Sequence, residues 1–229
     1  AECGGRASAI ITVGDGVADA LKGVHGWDDV TVVRNTFPLR DSHPAVPEQP
    51  TGLVYAGRIA AYRELETIAA ASRHVDLPIT LCGPADQTWL TSFDPGRVTV
   101  LGALPLEEAS ALMSAAGLCL VTHSDKWTNH CLALPNKLFH AISLGLPVVA
   151  TDVGELGKVV RQHQLGTLYA PGDAADLARA IREAVADFPR YVCNVEAARP
   201  ALCWDADAAR LRAVYEKLGS AQADDRGEG

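Results

Sequence analysis

Short runs of β-branched and apolar residues, each closed by Gly, Pro or Asp, alternate along this chain with longer stretches whose apolar positions recur every three to four residues. Eight runs read as strands: Ala9–Val13, Val30–Val33, Leu53–Ala56, Ile79–Cys82, Val98–Leu101, Leu118–Thr122, Pro147–Thr151 and Gly166–Tyr169. Several are apolar at consecutive positions, as strands covered on both faces are. Helical spacing appears in Arg63–Arg73, Pro105–Ala115, Pro135–Leu144, Leu156–His163 and Ala174–Val185, with Pro105 and Pro135 assigned to first turns. This alternation predicts an α/β fold, a Rossmann-like parallel sheet with helices on both faces.

The pattern breaks between Pro38 and Gly52, where four prolines and few large apolar residues read as a linker. The expected organisation is therefore residues 1–35, a βαβ-like remnant of another domain or crossover; 36–52, the linker; 53–204, the main domain; 205–218, a C-terminal helix; and 219–229, a flexible polar tail. The opening AECGGRASAI has neither an initiator Met nor a signal-peptide pattern, and reads as the start of an excised piece of a longer chain.

Composition narrows the function classes. A formal net charge of -8 argues against nucleic acid as a partner, because phosphate-backbone binders concentrate Lys and Arg on one face. No apolar stretch approaches the ~20 residues that span a bilayer, so no integral membrane segment is expected. None of the six cysteines makes a CxxC pair, and Cys82 and Cys119 sit inside apolar runs; both facts suit a reducing compartment, and the cytoplasm is the expected location.

Two constellations carry chemistry. In YAGRIAAYR a strand ends at Gly57 and is followed by Arg58 and Arg63, the latter assigned to a helix start, so that backbone, guanidiniums and helix dipole can meet a phosphate. A tight turn bearing two solvated arginines would look the same. In LPNKLFHAISLGLPVVATD, Pro135 opens a helix, Asn136 and Lys137 lie in its first turn, and His140 follows one turn later on the same face. A lysine there opposes the helix dipole and needs an anion or free solvation. Asp125, Asn129 and His130, in the loop THSDKWTNHCLA, are candidate sugar contacts at the C-terminal edge of the sheet, where open α/β folds bind ligands.

The order AGRIAAYR, LCGPAD, VLGALPLEEASALMSAA, ALPNKLFHAISLGLPVVATDVGEL and LGTLYAPGDAADLARAI resembles the C-terminal, donor-binding domain of GT-B-type retaining glycosyltransferases, group 1 or family 4-like, over about Leu53–Val185. That resemblance implies a nucleotide diphosphate sugar as donor, UDP being the commonest base, and a saccharide or small molecule as acceptor. It implies that Arg58 and Arg63, the latter where lysine is usual, neutralise the donor diphosphate as the sugar departs. Gly57, Leu134, Asn136 and Lys137 would line the same phosphates, His140 and Leu101 the ribose and base. No acidic pair is read as the metal site of the other major glycosyltransferase fold, so neither metal nor other cofactor is expected. The acceptor wall would come from the missing N-terminal domain, and this chain alone is expected to be inactive.

Departures from the family pattern are equally legible. Its two glutamates, eight positions apart, are replaced here by Leu132 and His140, and a leucine cannot contact a sugar hydroxyl as a carboxylate does. Two further readings stand beside the transferase: an epimerase of UDP-N-acetylhexosamine, and a nucleotide-sugar-binding module without turnover. A hydride-transferring dehydrogenase is disfavoured, since TVGDGVAD lacks the third glycine of GxGxxG.

Overall fold

The computed structural model describes residues 7–39 and 45–227, with side chains to residue 220. Residues 1–6 of the expected remnant, 40–44 of the linker and 228–229 of the tail lie outside the described residues. Consecutive apolar positions produce strands that feed two cores at once. Strand β3 (Gly52–Ala56) sends Leu53 and Tyr55 to one face and Val54 to the other, and β6 (Gly117–Val121) divides Leu118 and Leu120 from Cys119 and Val121 in the same way. With β4 (Ile79–Cys82), β5 (Thr99–Leu101), β7 (Val148–Thr151) and β8 (Gly166–Tyr169) they form a six-stranded parallel sheet in the order β5-β4-β3-β6-β7-β8.

Helices α2 (Leu65–Ala71) and α8 (Ala174–Ala186) cover the first face through Leu65, Ile68, Leu177 and Ile181. The opposite face is closed by α4 (Leu106–Ala116), α6 (Asn136–Ser143), α7 (Gly154–His163) and α9 (Phe188–Ala198), through Met113, Phe139, Leu156 and Val195. From β3 the chain first winds outward to β5, then returns beside β3 as β6 and winds the other way. The strand order therefore reverses between β3 and β6, and their C-terminal ends frame the crevice where such sheets bind ligands.

Several boundaries differ from the sequence reading. Arg63 does not start a helix: it ends a single turn, Ala61–Arg63, and Glu64 takes a left-handed conformation (φ 59°) before α2 begins at Leu65. Pro105 and Pro135 cap their helices from outside, because each holds an extended ψ. Asn129 and His130 lie not in an open loop but in a short helix, α5 (Thr128–Leu132), and Gln87–Leu90 form another, α3, that the periodicity did not reveal. The C-terminal helix α10 runs over Trp204–Gly227, beyond the expected 205–218 and through most of the segment read as a tail.

At the N-terminal end, β1 (Ile10–Thr12) and β2 (Val30–Val32) pair in parallel as a separate two-stranded sheet linked by a helix, α1 (Asp15–His25). The segment leaving β2 is fastened to α10. Asp207, with no exposed surface, accepts from the Arg34 backbone N–H, Arg34 Nε, Thr36 Oγ1 and Arg210 Nη1, and Arg34 is itself mostly buried. The Trp204 N–H donates to Phe37 and the Leu39 N–H to Asp205. The described part of the linker is thus strapped down. Removing one partner of a buried ion pair strands the other charge, so Asp207→Ala should lower unfolding free energy by about 3–5 kcal/mol, measured by urea denaturation.

Candidate functional site

The C-terminal ends of β3 and β6 meet over Tyr55. Its hydroxyl donates to the Arg58 carbonyl (2.9 Å), fixing the turn after β3, and burial raises its pKa to about 12. The Gly57 N–H donates to Cys82, and a Cβ on Gly83 would stand 2.0 Å from the Gly57 carbonyl oxygen; that close approach, at φ 145°, requires glycine.

Lys137 extends from the first turn of α6 into this crevice. Its Nζ lies 4.9 Å over the Tyr55 ring and 2.9 Å from where a Cβ on Gly57 would be, so Gly57 makes the room the ammonium occupies. No carboxylate faces it among the described residues. Desolvation, with Arg63 adding repulsion, pulls its pKa down to about 8. Arg63 stacks its guanidinium 4.6 Å from the Tyr62 ring, its carbonyl accepts from Thr122 Oγ1 (3.1 Å), and its buried Nε has no hydrogen-bond partner. An unpaired buried donor beside a second cation is costly unless something anionic completes it.

The other expected residues are distributed around this pair. Arg58 is exposed, its side chain free of partners among the described residues. Asn136 opens α6 but turns its Oδ1 to Asn35 Nδ2 (3.1 Å). Leu134 is half-buried against the core beneath α6. His140 is taken up by Ser110 Oγ at 2.9 Å and by stacking on Phe37 at 4.9 Å. Leu101 lines a groove of about 380 Å³ with Gly83, Gly102 and Ala103 at the β4–β5 end of the same edge. Asp125 and Asn129 are exposed. A larger cavity, about 540 Å³ beside His74, Pro78 and Arg182, opens at the opposite edge of the sheet.

Sequence reasoning missed His123 and Glu64. His123 follows β6 and is buried; its N–H donates to Thr151 Oγ1 (2.8 Å) and its Nδ1 contacts the His130 carbonyl (2.9 Å). The two imidazoles stack at 4.4 Å and 10°, and His130 Nδ1 accepts the Ser124 N–H. Burial is the main cause of a His123 pKa near 4, and His130 is also held below its ordinary value. The only advance signal was a polar residue directly beyond a buried strand.

A six-stranded parallel sheet of this order, with cations at its switch point, is a Rossmann-like domain of the kind that forms one half of GT-B proteins. The chain matches the family described as Glycosyl transferases group 1 over residues 50–187, more than half its length, and belongs to that family. It is similar to glycogen synthase of Mycobacterium tuberculosis, 28% identical over 200 residues covering 80% of this chain and 46% of the relative. The chain thus spans about half the length of that curated relative. Its fold is shared with sucrose-phosphate synthase from Thermosynechococcus elongatus (TM-score 0.74, 24% identity, 94% of this chain and 59% of that one). It is also shared with Anabaena HepE in complex with UDP and glucose (TM-score 0.73, 19% identity, 93% and 63%).

Two outcomes test this geometry in the free protein. Because the folded Lys137 binds its proton less tightly than an unfolded lysine, wild-type stability should rise as pH climbs from about 8 towards 10.5. Lys137→Met should raise the melting temperature at pH 7 and flatten that rise; a variant less stable at pH 7 would contradict the desolvated ammonium. Glu64→Gly, which relieves a left-handed backbone, should stabilise by about 1 kcal/mol in chemical denaturation.

Proposed function

We propose that this chain is the donor-holding half of a glycosyltransferase that moves a sugar from a nucleoside diphosphate to a saccharide or small-molecule acceptor. The observation that carries the reading is the pair Arg63 and Lys137, two cations at the sheet's switch point with no anionic partner among the described residues. A diphosphate supplies the missing charge. As the glycosidic bond breaks, negative charge grows on the departing phosphate, and pre-placed cations in a desolvated crevice stabilise it without reorganising. The Asn136 and Lys137 backbone N–H groups at the start of α6 supply further donors. Arg58, exposed beside them, approaches the same phosphates from solvent, and the groove at Leu101 has the dimensions for a base.

A UDP donor is supported by HepE, which is described in complex with UDP and with UDP-glucose. Leaving-group stabilisation by these groups calls for no metal and suits retention of configuration. The acceptor wall would belong to an N-terminal domain, and the buried free thiols Cys82, Cys119 and Cys203 favour a reducing, cytoplasmic setting.

Calorimetric titration with UDP, GDP and ADP tests the reading. One base should be preferred, Arg63→Ala and Lys137→Met should each weaken it about tenfold, and the double variant about a hundredfold, the scale of charge-assisted contacts. Affinity should fall about tenfold between pH 7 and 9 as Lys137 loses its proton, and that fall should vanish in Lys137→Met. Absence of binding to all three nucleotides would overturn the donor reading.

A further inference from the structure

A nucleoside diphosphate sugar is a linear object, and the edge of this sheet is a linear track. Along the order β5-β4-β3-β6, the Leu101 groove comes first, the Arg63 and Lys137 cations next at β3, and the residues just beyond β6 last. With base and diphosphate seated on the first two, the sugar attached to the distal phosphate would fall against Thr122, His123 and Ser124, the first of which bonds the Arg63 carbonyl. A sugar hydroxyl donating there needs an acceptor, and position 132, where the family resemblance implies a glutamate, holds a leucine.

His123 has the means to replace it. Its Nδ1 faces the His130 carbonyl at 2.9 Å; a carbonyl only accepts, so Nδ1 carries the hydrogen and the lone pair of the neutral ring resides on Nε2. The ring is fixed by that bond and by stacking on His130 at 4.4 Å, and its backbone by the N–H bond to Thr151. Nε2 has no partner among the described residues. We propose that His123 is a specificity-determining residue of the donor site, its Nε2 accepting a hydrogen bond from a hydroxyl of the donor sugar in place of the absent carboxylate. The assignment rests on the donor reading above. The cations that hold the diphosphate also keep the acceptor competent, since Lys137 and Arg63 both oppose protonation of this ring.

Two amide substitutions separate an acceptor from a mere strut. The amide nitrogen of Asn stands two bonds from Cβ, like Nδ1, and preserves the bond to His130; the amide oxygen of Gln stands three bonds away, like Nε2, and preserves the acceptor. The ratio of Kd for UDP-glucose to Kd for UDP is measured by calorimetry on the chain and on His123→Asn and His123→Gln. His123→Asn should leave UDP affinity within about twofold and raise the ratio about five- to tenfold, the worth of one neutral hydrogen bond, while His123→Gln stays near the parent. A ratio unchanged in His123→Asn, or raised only in His123→Gln, overturns the proposal and leaves the donor site standing. Failure of the parent chain to bind UDP overturns this inference, and failure to bind UDP, GDP and ADP alike overturns the donor reading with it.

Discussion

Lys137 is held where water would not leave it. An ammonium on the first turn of a helix opposes the helix dipole, loses hydration beneath the β3 turn, and lies within the field of Arg63. Each of these raises the free energy of the empty chain, and none is relieved by a carboxylate among the described residues. Such an arrangement persists only where the surroundings over-determine it. Here they do so through the Gly57 gap, the Tyr55 ring beneath the ammonium, and the Tyr55 hydroxyl that holds the turn above it. In the donor reading proposed above, the electrostatic strain of the free state is the source of affinity for an anion, because a bound diphosphate would remove it.

The scaffold can hold this charge because the sheet under it is buried on both sides. Tyr55 has no exposed surface and sits between the α2 and α8 face and the crevice. The backbone around the cations is equally constrained: Gly83 closes against Gly57, Thr122 bonds the Arg63 carbonyl, and the left-handed Glu64 turns the chain from the Arg63 turn into α2. A regular helix from residue 63, as periodicity suggested, would have carried the Arg63 carbonyl into an intrahelical bond and away from Thr122.

The alternation of buried runs and helical periods was enough to read the parallel sheet, because strands covered on both faces leave an unbroken apolar signature and each lies within a residue or two of its expected bounds. Gly57 and Lys137 stood out for a similar reason: a glycine ending a strand and a lysine opening a helix are local exceptions to ordinary propensity, whereas Arg63 was read on a helix start that is a single turn in the structure. Glu64 was not legible, since Glu-Leu-Glu favours helix and only the tertiary context imposes a positive φ on its first residue. His123 was hidden differently. A histidine after a strand looks like any loop residue until α5 folds back and brings the His130 carbonyl and ring against it.

The two positions at which the family's glutamates are absent show what the substitution does to the field. Leu132 closes α5 where its carbonyl lies against Gly16 of α1, and His140 packs between Ser110 and Phe37. Both positions therefore serve contacts with the first 39 residues or with α4. A carboxylate at 140, one helical turn from Lys137, would neutralise part of the positive charge that the proposed diphosphate would meet. Without it, Arg63 and Lys137 face no carboxylate from α6 and remain a less screened pair of cations. In that field the carboxylate-free acceptor proposed above has one further merit: a neutral imidazole would take a hydroxyl's hydrogen bond without cancelling the charge that would hold the phosphates.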